Sequence, residues 1–212
     1  MSTARNSPKR LRPPPQDNLA RATELAFAGL AGAPEEQLVW LGAARREAMW
    51  RLPVLNDVFH VDLSDKRITT FDGGPVGSVW AILVLHYLAV SSRPETRPPQ
   101  TTFADLAAAR SYAGVYQGRV IGRLCHTAGR SAETLRAAAV SLGGEPAEGG
   151  DAAYLFRVFP RVVLRLIWHA PDEEFRCSAT LLLPDNIESY FCCEDIVVLS
   201  ESLVARLGGR PF

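Results

Sequence analysis

No stretch of the sequence holds the roughly 18 consecutive apolar residues that a membrane-spanning helix needs, and no basic-then-apolar leader opens it. The longest apolar stretch, around Trp80 to Val90, is interrupted by His86 and is too short to span. Cysteine is scarce. Its four copies, Cys125, Cys177, Cys192 and Cys193, form no C-x-x-C pair, and the two adjacent ones could join only under strain. That argues against a disulfide framework and against a zinc ribbon, and it predicts reduced thiols in a cytoplasmic protein. The four histidines, His60, His86, His126 and His169, show no zinc spacing either. Net charge is absent as well. The 23 Lys and Arg balance the 23 Asp and Glu, which argues against a body built to coat nucleic acid or an anionic membrane. No repeat of fixed period is visible.

What the chain does have is an ordinary globular composition, with 47% hydrophobic and 22% charged residues in 212. That length suits one domain with a core of its own. Residues 1–16, rich in Pro, Ser and Arg, read as a disordered basic tail. Arg5, Lys9, Arg10 and Arg12 are its only means of touching an anionic partner such as nucleic acid. Residues 17–212 read as a single α+β domain. Asp17 opens a helix that Gly32 and Pro34 end, and a second short helix runs from Glu35 to about Ala43. Met49 to Pro53, Val54 to Leu63 and Arg67 to Phe71 read as a β-meander with a turn at Ser64-Asp65-Lys66. Pro75 suits the first turn of a strong helix, whose inner face takes Val79, Ile82, Leu83, His86 and Val90. A loop covers Ser91 to Thr102. Central helices follow at about Val115 to Thr127 and Ser131 to Leu142, with Ser131 as N-cap. Strands Ala153 to Phe159, Arg161 to His169 and Phe175 to Leu183 read as an antiparallel sheet, with Phe175 and Cys177 on its buried face. A helix from about Glu194 to Leu207 caps it.

The C-terminal third carries a pattern: Trp168 closing an apolar strand, the acidic turn Asp172-Glu173-Glu174-Phe175, a strand ending at Leu183, then Asp185, Tyr190 and Glu194-Asp195. Together with Leu85-His86-Tyr87-Leu88, this resembles the prokaryotic domain-of-unknown-function family 3786 over nearly the whole chain from Asp17 to Leu207. The chain departs from the pattern in three places. Its Trp-to-Asp turn, Trp168-His169-Ala170-Pro171-Asp172, is one residue longer, Leu183-Pro184-Asp185 ends the next strand, and Cys192-Cys193 stand before Glu194. Members of the family are joined to iron–sulfur modules or associated with corrinoid proteins of anaerobes, so the resemblance implies an accessory or cofactor-related role. This chain has no Cys-rich segment for a cluster.

Several groupings suggest chemistry. Tyr112, Tyr116, Arg119 and Arg123 fall at helical spacings and predict one aromatic-basic stripe, suited to a flat acidic ligand. Arg157, Arg165 and Arg176 fall on successive strands. Like charges facing one another need an anion between them, either a carboxylate such as Asp151, Glu173 or Glu174 or a ligand. The Asp72-Gly73-Gly74-Pro75-Val76-Gly77-Ser78 loop leads into a helix N-terminus able to hold phosphate, although it lacks the Lys-Ser/Thr pair of a P-loop. His86, on an apolar helix beside Tyr87, is the candidate ligand for a metal or for a haem or corrinoid. The adjacent thiols Cys192 and Cys193 precede a helix, where a thiol can be activated. The Asp172-Glu173-Glu174 turn reads as a solvated hairpin tip. The function expected is therefore binding of a small anionic molecule or cofactor in an accessory role, through Tyr112, Tyr116, Arg119 and Arg165. The alternatives are a metal- or haem-dependent enzyme using His86, with Tyr87 or Tyr116 as proton donor, and a protein–protein adaptor. Because residues 1–16 offer almost nothing to bury, their deletion is expected to leave the melting temperature unchanged, which thermal denaturation of the two forms checks.

Overall fold

The computed structural model describes residues 16–107, 109 and 112–212. The proposed tail thus lies outside the described residues except for Gln16, which already belongs to helix α1, Gln16–Leu30. Phe27 and Leu30 bury that helix against the core. Helix α2, Glu35–Trp40, follows Pro34.

A four-stranded antiparallel meander comes next: β1 Ala44–Arg46, β2 Met49–Val54, β3 Asp57–Asp62 and β4 Arg67–Thr69. Its three hairpins turn at Glu47, Leu55 and Lys66, each with a positive φ of 51–56°. The sequence pattern missed β1 and the break at Leu55-Asn56, because neither turn carries the Gly or Pro that usually marks one. In β2 and β3 the buried residues alternate, with Trp50, Leu52, Val54, Phe59 and Val61 facing in.

Helix α3, Ser78–Leu88, is almost wholly enclosed. Trp80, Leu83, Val84, Leu85, Tyr87 and Leu88 are all buried. Val79 is 40% exposed, and Ile82 and His86 are only half-buried. The face expected to point inward is therefore split: Leu83 and Val90 are buried as expected, whereas Val79, Ile82 and His86 look outward. In a helix apolar on all sides, periodicity cannot say which stripe faces out.

The expected loop before residue 102 ends in a strand, β5 Pro99–Thr102. A continuous helical rod then runs through α4 Ala113–Tyr116, a π segment Gln117–Gly122 and α5 Arg123–His126. Helix α6, Ala132–Ser141, starts at the expected cap, with Ser131 Oγ accepting from Thr134 N at 3.1 Å. The C-terminal sheet has the order β5-β9-β8-β7-β6, with β6 Glu145–Pro146, β7 Ala152–Phe159, β8 Val162–His169 and β9 Ser178–Pro184. Helix α7, Cys193–Leu207, buries Ile196, Leu199, Leu203 and Leu207. The class is α+β: helices, an antiparallel meander and an antiparallel sheet followed by its capping helix. Phe175 departs from the expected pattern, since it stands 67% exposed. The Asp172 carboxylate accepts from the N–H groups of Glu174 and Phe175, which folds that segment into a turn and delays β9 to Ser178. Among the described residues no helix is long and apolar enough to cross a membrane.

The inner face of β8 shows why the sheet stays in place. Val162, Leu164, Leu166 and Trp168 point inward at period two. Trp168 is 1% exposed and donates from Nε1 to Gly129 O at 2.9 Å, a position where any Cβ would press on the indole. Trp168→Ala is expected to cost about 3–5 kcal/mol of unfolding free energy, the usual range for emptying a large aromatic site. Chemical denaturation of the variant checks this, and near-native stability would contradict it.

Candidate functional site

Helices α3 and α7 lie antiparallel. The first turn of α7 meets the end of α3, where the Asp195 carboxylate binds His86 Nδ1 at 2.9 Å. At the far end, Trp80 in the first turn of α3 packs its ring edge-to-face on Phe212 with centroids 5.2 Å apart. The rod of α4 and the π segment runs along the other side of α7. Tyr116 OH donates to Ser200 Oγ at 3.0 Å, and Arg119 grips Glu201 with two contacts, Nε to Oε1 at 2.5 Å and Nη2 to Oε2 at 3.0 Å.

The π segment decides what the Tyr/Arg pattern can do. A π turn is wider than an α turn, so α-helical spacing no longer predicts a common face. Tyr116 turns into the core, 5% exposed, stacked on Phe103 at 4.2 Å. Burial pushes its phenol up to about 12. Tyr112 remains 42% exposed, beside Arg119, Cys193, Glu194, Val197 and Val198 around a cavity of about 420 Å³. The structure thus brings Tyr112 and Arg119 together and separates Tyr116 from them.

A second cavity, of about 500 Å³, adjoins the first and shares Arg119 and Val198 with it. Arg123 and Arg210 complete its basic lining, with Glu201 as the one acidic side chain among the lining residues. Its other end is the start of α3, Gly77 to Trp80. That helix has no side-chain cap and no acidic residue in its first turn. Its first-turn N–H groups and the positive end of its dipole face the groove without a side-chain cap, and the Phe212 main-chain carbonyl lies beside Gly77 there. Arg210 is carried there by the segment after α7. Arg206 holds that segment, donating from Nη1 to Arg210 O at 2.6 Å while its guanidinium lies 3.9 Å over the Phe212 ring. Two sequence candidates thus meet in space, the glycine loop before α3 and the arginines of the rod. Arg210 was missed, because nothing near it in sequence marks it.

Arg165 lies elsewhere, on the outer face of the C-terminal sheet. It lines a cavity of about 330 Å³ with Gln100, Glu148 and Leu155, and donates from Nη2 to Glu148 O. Arg157 pairs with Val163, which makes it diagonal to Arg165, and donates to Pro160 O at 3.2 Å. Backbone carbonyls, not a carboxylate, receive both guanidinium groups. Arg176 precedes β9 and belongs to no strand.

His86 is held by Asp195, and its side chain is 38% exposed. The hydrogen bond that the imidazole donates to the Asp195 carboxylate raises it above its usual 6.5 despite burial. Burial pushes the Asp195 carboxyl up, but hydrogen bonds from His86 and the Cys192 thiol outweigh it and hold the group below 3.8. Cys192 itself is raised, first by burial, so the helix N-terminus does not activate it here. Tyr87 is fully buried and donates to Leu41 O at 2.7 Å, so neither Tyr87 nor Tyr116 is placed to give a proton at His86. Among the described residues no three His, Cys, Asp or Glu side chains converge on a metal position.

A family model described as Domain of unknown function (DUF3786) matches residues 34–206. No curated protein and no solved structure matches the chain.

The His86–Asp195 pair makes stability depend on pH. The raised imidazole stabilises the fold fully below 6.5 and loses that contribution as pH rises through its folded value. The lowered carboxyl contributes above 3.8 and loses it as pH falls through its own folded value. Between about pH 5.5 and about pH 9 the wild type is therefore expected to lose stability that His86→Gln does not lose, as thermal melts of both proteins at the two pH values would show.

Proposed function

The chain belongs to the DUF3786 family, and for it we propose the binding of a small anionic molecule in the groove between the start of α3, the π segment and the second half of α7. The observation that carries this reading is the lining: three arginines, Arg119, Arg123 and Arg210, against a single acidic side chain, Glu201, around about 500 Å³. That volume lies within the range of small-ligand sites, about 300–1,000 Å³. Guanidinium groups offer directed, charge-assisted hydrogen bonds to carboxylate or phosphate oxygens. The uncapped first turn of α3 adds N–H donors from a rigid element. Arg119 is shared with Glu201, while among the described residues no side-chain carboxylate forms an ion pair with Arg123 or Arg210. The adjoining cavity, with the exposed ring of Tyr112 beside Val197 and Val198, supplies an apolar place for a flat portion of the ligand. Such a protein has no need of a reactive group, which suits an accessory role.

Inorganic pyrophosphate is a suitable probe, because it presents the anion without an organic part. Arg123→Ala is expected to weaken its binding by about 1.5–3 kcal/mol, the range for a hydrogen bond to a charged group. Arg123→Lys is expected to restore only part of it, because an ammonium lacks the planar fork. Isothermal titration calorimetry of the three proteins decides: equal affinity in wild type and Arg123→Ala contradicts the reading.

A second reading rests on one observation. An imidazole whose Nδ1 is held by a carboxylate, as His86 is by Asp195, has its Nε2 oriented as in metal-ligating histidines. A metal- or haem-dependent activity through His86 would show as bound metal or a visible absorption band in protein purified from its native host.

A further inference from the structure

The two cysteines that are neighbours in sequence are not the pair that the fold brings together. Cys193 faces the Tyr112 cavity, and the Cys192 thiol bonds to Asp195. Cys125, in α5, and Cys177, just before β9, come from distant parts of the chain, and both open on one surface cavity. The helix and the strand that carry them pack together.

The surroundings of the two sulfurs differ. Cys177 Sγ accepts from Trp168 Nε1 at 3.1 Å and donates to Gly129 O at 3.4 Å. Cys125 is pushed up to about 12, by burial first and then by the hydrogen bond to Cys177. Cys125 therefore stays a thiol at neutral pH, which makes it the second of the two sulfurs to react. Both residues line a surface cavity of about 460 Å³. One wall is the rod, where Gly114 and Gly118 place no side chain and leave the space in front of them open. Arg176 stands at its rim, exposed.

We propose that Cys125 and Cys177 form a reversible dithiol–disulfide couple, and that the cavity before them admits a low-molecular-weight disulfide carrying carboxylates, of the glutathione class, as oxidant. The glycine wall allows a peptide-like chain to lie close, and Arg176 offers its guanidinium to a carboxylate. In the first step Cys177 Sγ, its proton lost to solvent, attacks one sulfur of the small disulfide. A Cys177–small-thiol bond forms, the original S–S bond breaks, and one small thiolate leaves. In the second step the Cys125 sulfur, its proton lost, attacks Cys177 Sγ. The Cys125–Cys177 bond forms and the second small thiolate leaves. The protein gives up two protons and two electrons, and the small disulfide is reduced to two thiols. The bond would tie α5 to the start of β9 directly beside the Trp168 anchor.

The test equilibrates the full chain with mixtures of reduced and oxidised glutathione, traps remaining thiols by alkylation and maps the peptides by mass spectrometry without reduction. A peptide linked through Cys125 and Cys177 is the expected product, formed in a less oxidising mixture than any link between Cys192 and Cys193. In Cys125→Ser, Cys177 is expected to stop as the mixed disulfide with glutathione, whereas in Cys177→Ser, Cys125 stays open to alkylation. If both sulfurs of the wild type remain open to alkylation in the most oxidising mixture, or if each carries glutathione without a link, the proposal falls. The wild-type map decides this even where a serine variant does not fold.

Discussion

Helix α3 has to be enclosed, and most of the molecule is arranged to enclose it. Along Ser78–Leu88 only Ser78, Trp80, His86 and Tyr87 carry a polar side-chain atom. Leaving so apolar a helix in water would forfeit roughly 1.5–3 kcal/mol for each large side chain. Helices α1 and α7 pack on it from two sides. From a third side come Phe159 and Phe191, and Tyr87 stacks on Phe159 at 4.5 Å. The single polar atom sunk deepest, Tyr87 OH, is satisfied by donating to Leu41 O and accepting from Arg161 N. That bond ties the helix to the turn after α2 and to the hairpin between β7 and β8.

The candidate sites follow from this enclosure. Because α7 must run the length of α3, its first turn delivers Asp195 to His86 and its last turns carry Arg206 and the Arg210 segment to the start of α3. The rod closes on α7 from the other side through Tyr116–Ser200 and Arg119–Glu201. Exposed pairs such as Arg119–Glu201 contribute little to stability, so their position says more than their energy does. Charge is balanced over the whole chain, yet the groove beside α3 collects three arginines and one glutamate. Local imbalance within a neutral protein is what a site for an anion requires.

Much of the fold was legible because period and punctuation agreed. Ser131 and the Gly143-Gly144 stop bracket α6, the alternation of β8 fixes Trp168 inward, and the apolar stripe of α7 faces the core. Elsewhere a tertiary fact overrode the pattern. The outward stripe of α3 could not be told from its inward ones, because all were apolar. Tyr112 stands ahead of the four-residue α4 and the π segment follows it, so no uniform spacing joins Tyr112, Tyr116 and Arg119; the glycines Gly118 and Gly122 were the available signal of the π segment. The site was legible in fragments only. The glycine loop, Arg119 and Arg123 could each be named from sequence, but their meeting depends on how α3, α7 and the rod are packed. Arg210 and the Cys125–Cys177 contact had no local signal at all.

The central claim, an anion held by the start of α3 and the arginines facing it, is tested most directly by a nitrogen-15 NMR titration of the labelled chain with inorganic pyrophosphate. The account predicts that the largest shifts fall on the backbone amides of Ser78, Val79 and Trp80 and on the Nε–H signals of Arg119 and Arg123. Shifts centred instead on the Glu148–Gly149 turn beside Arg165, or no saturable shift at the start of α3, would contradict it.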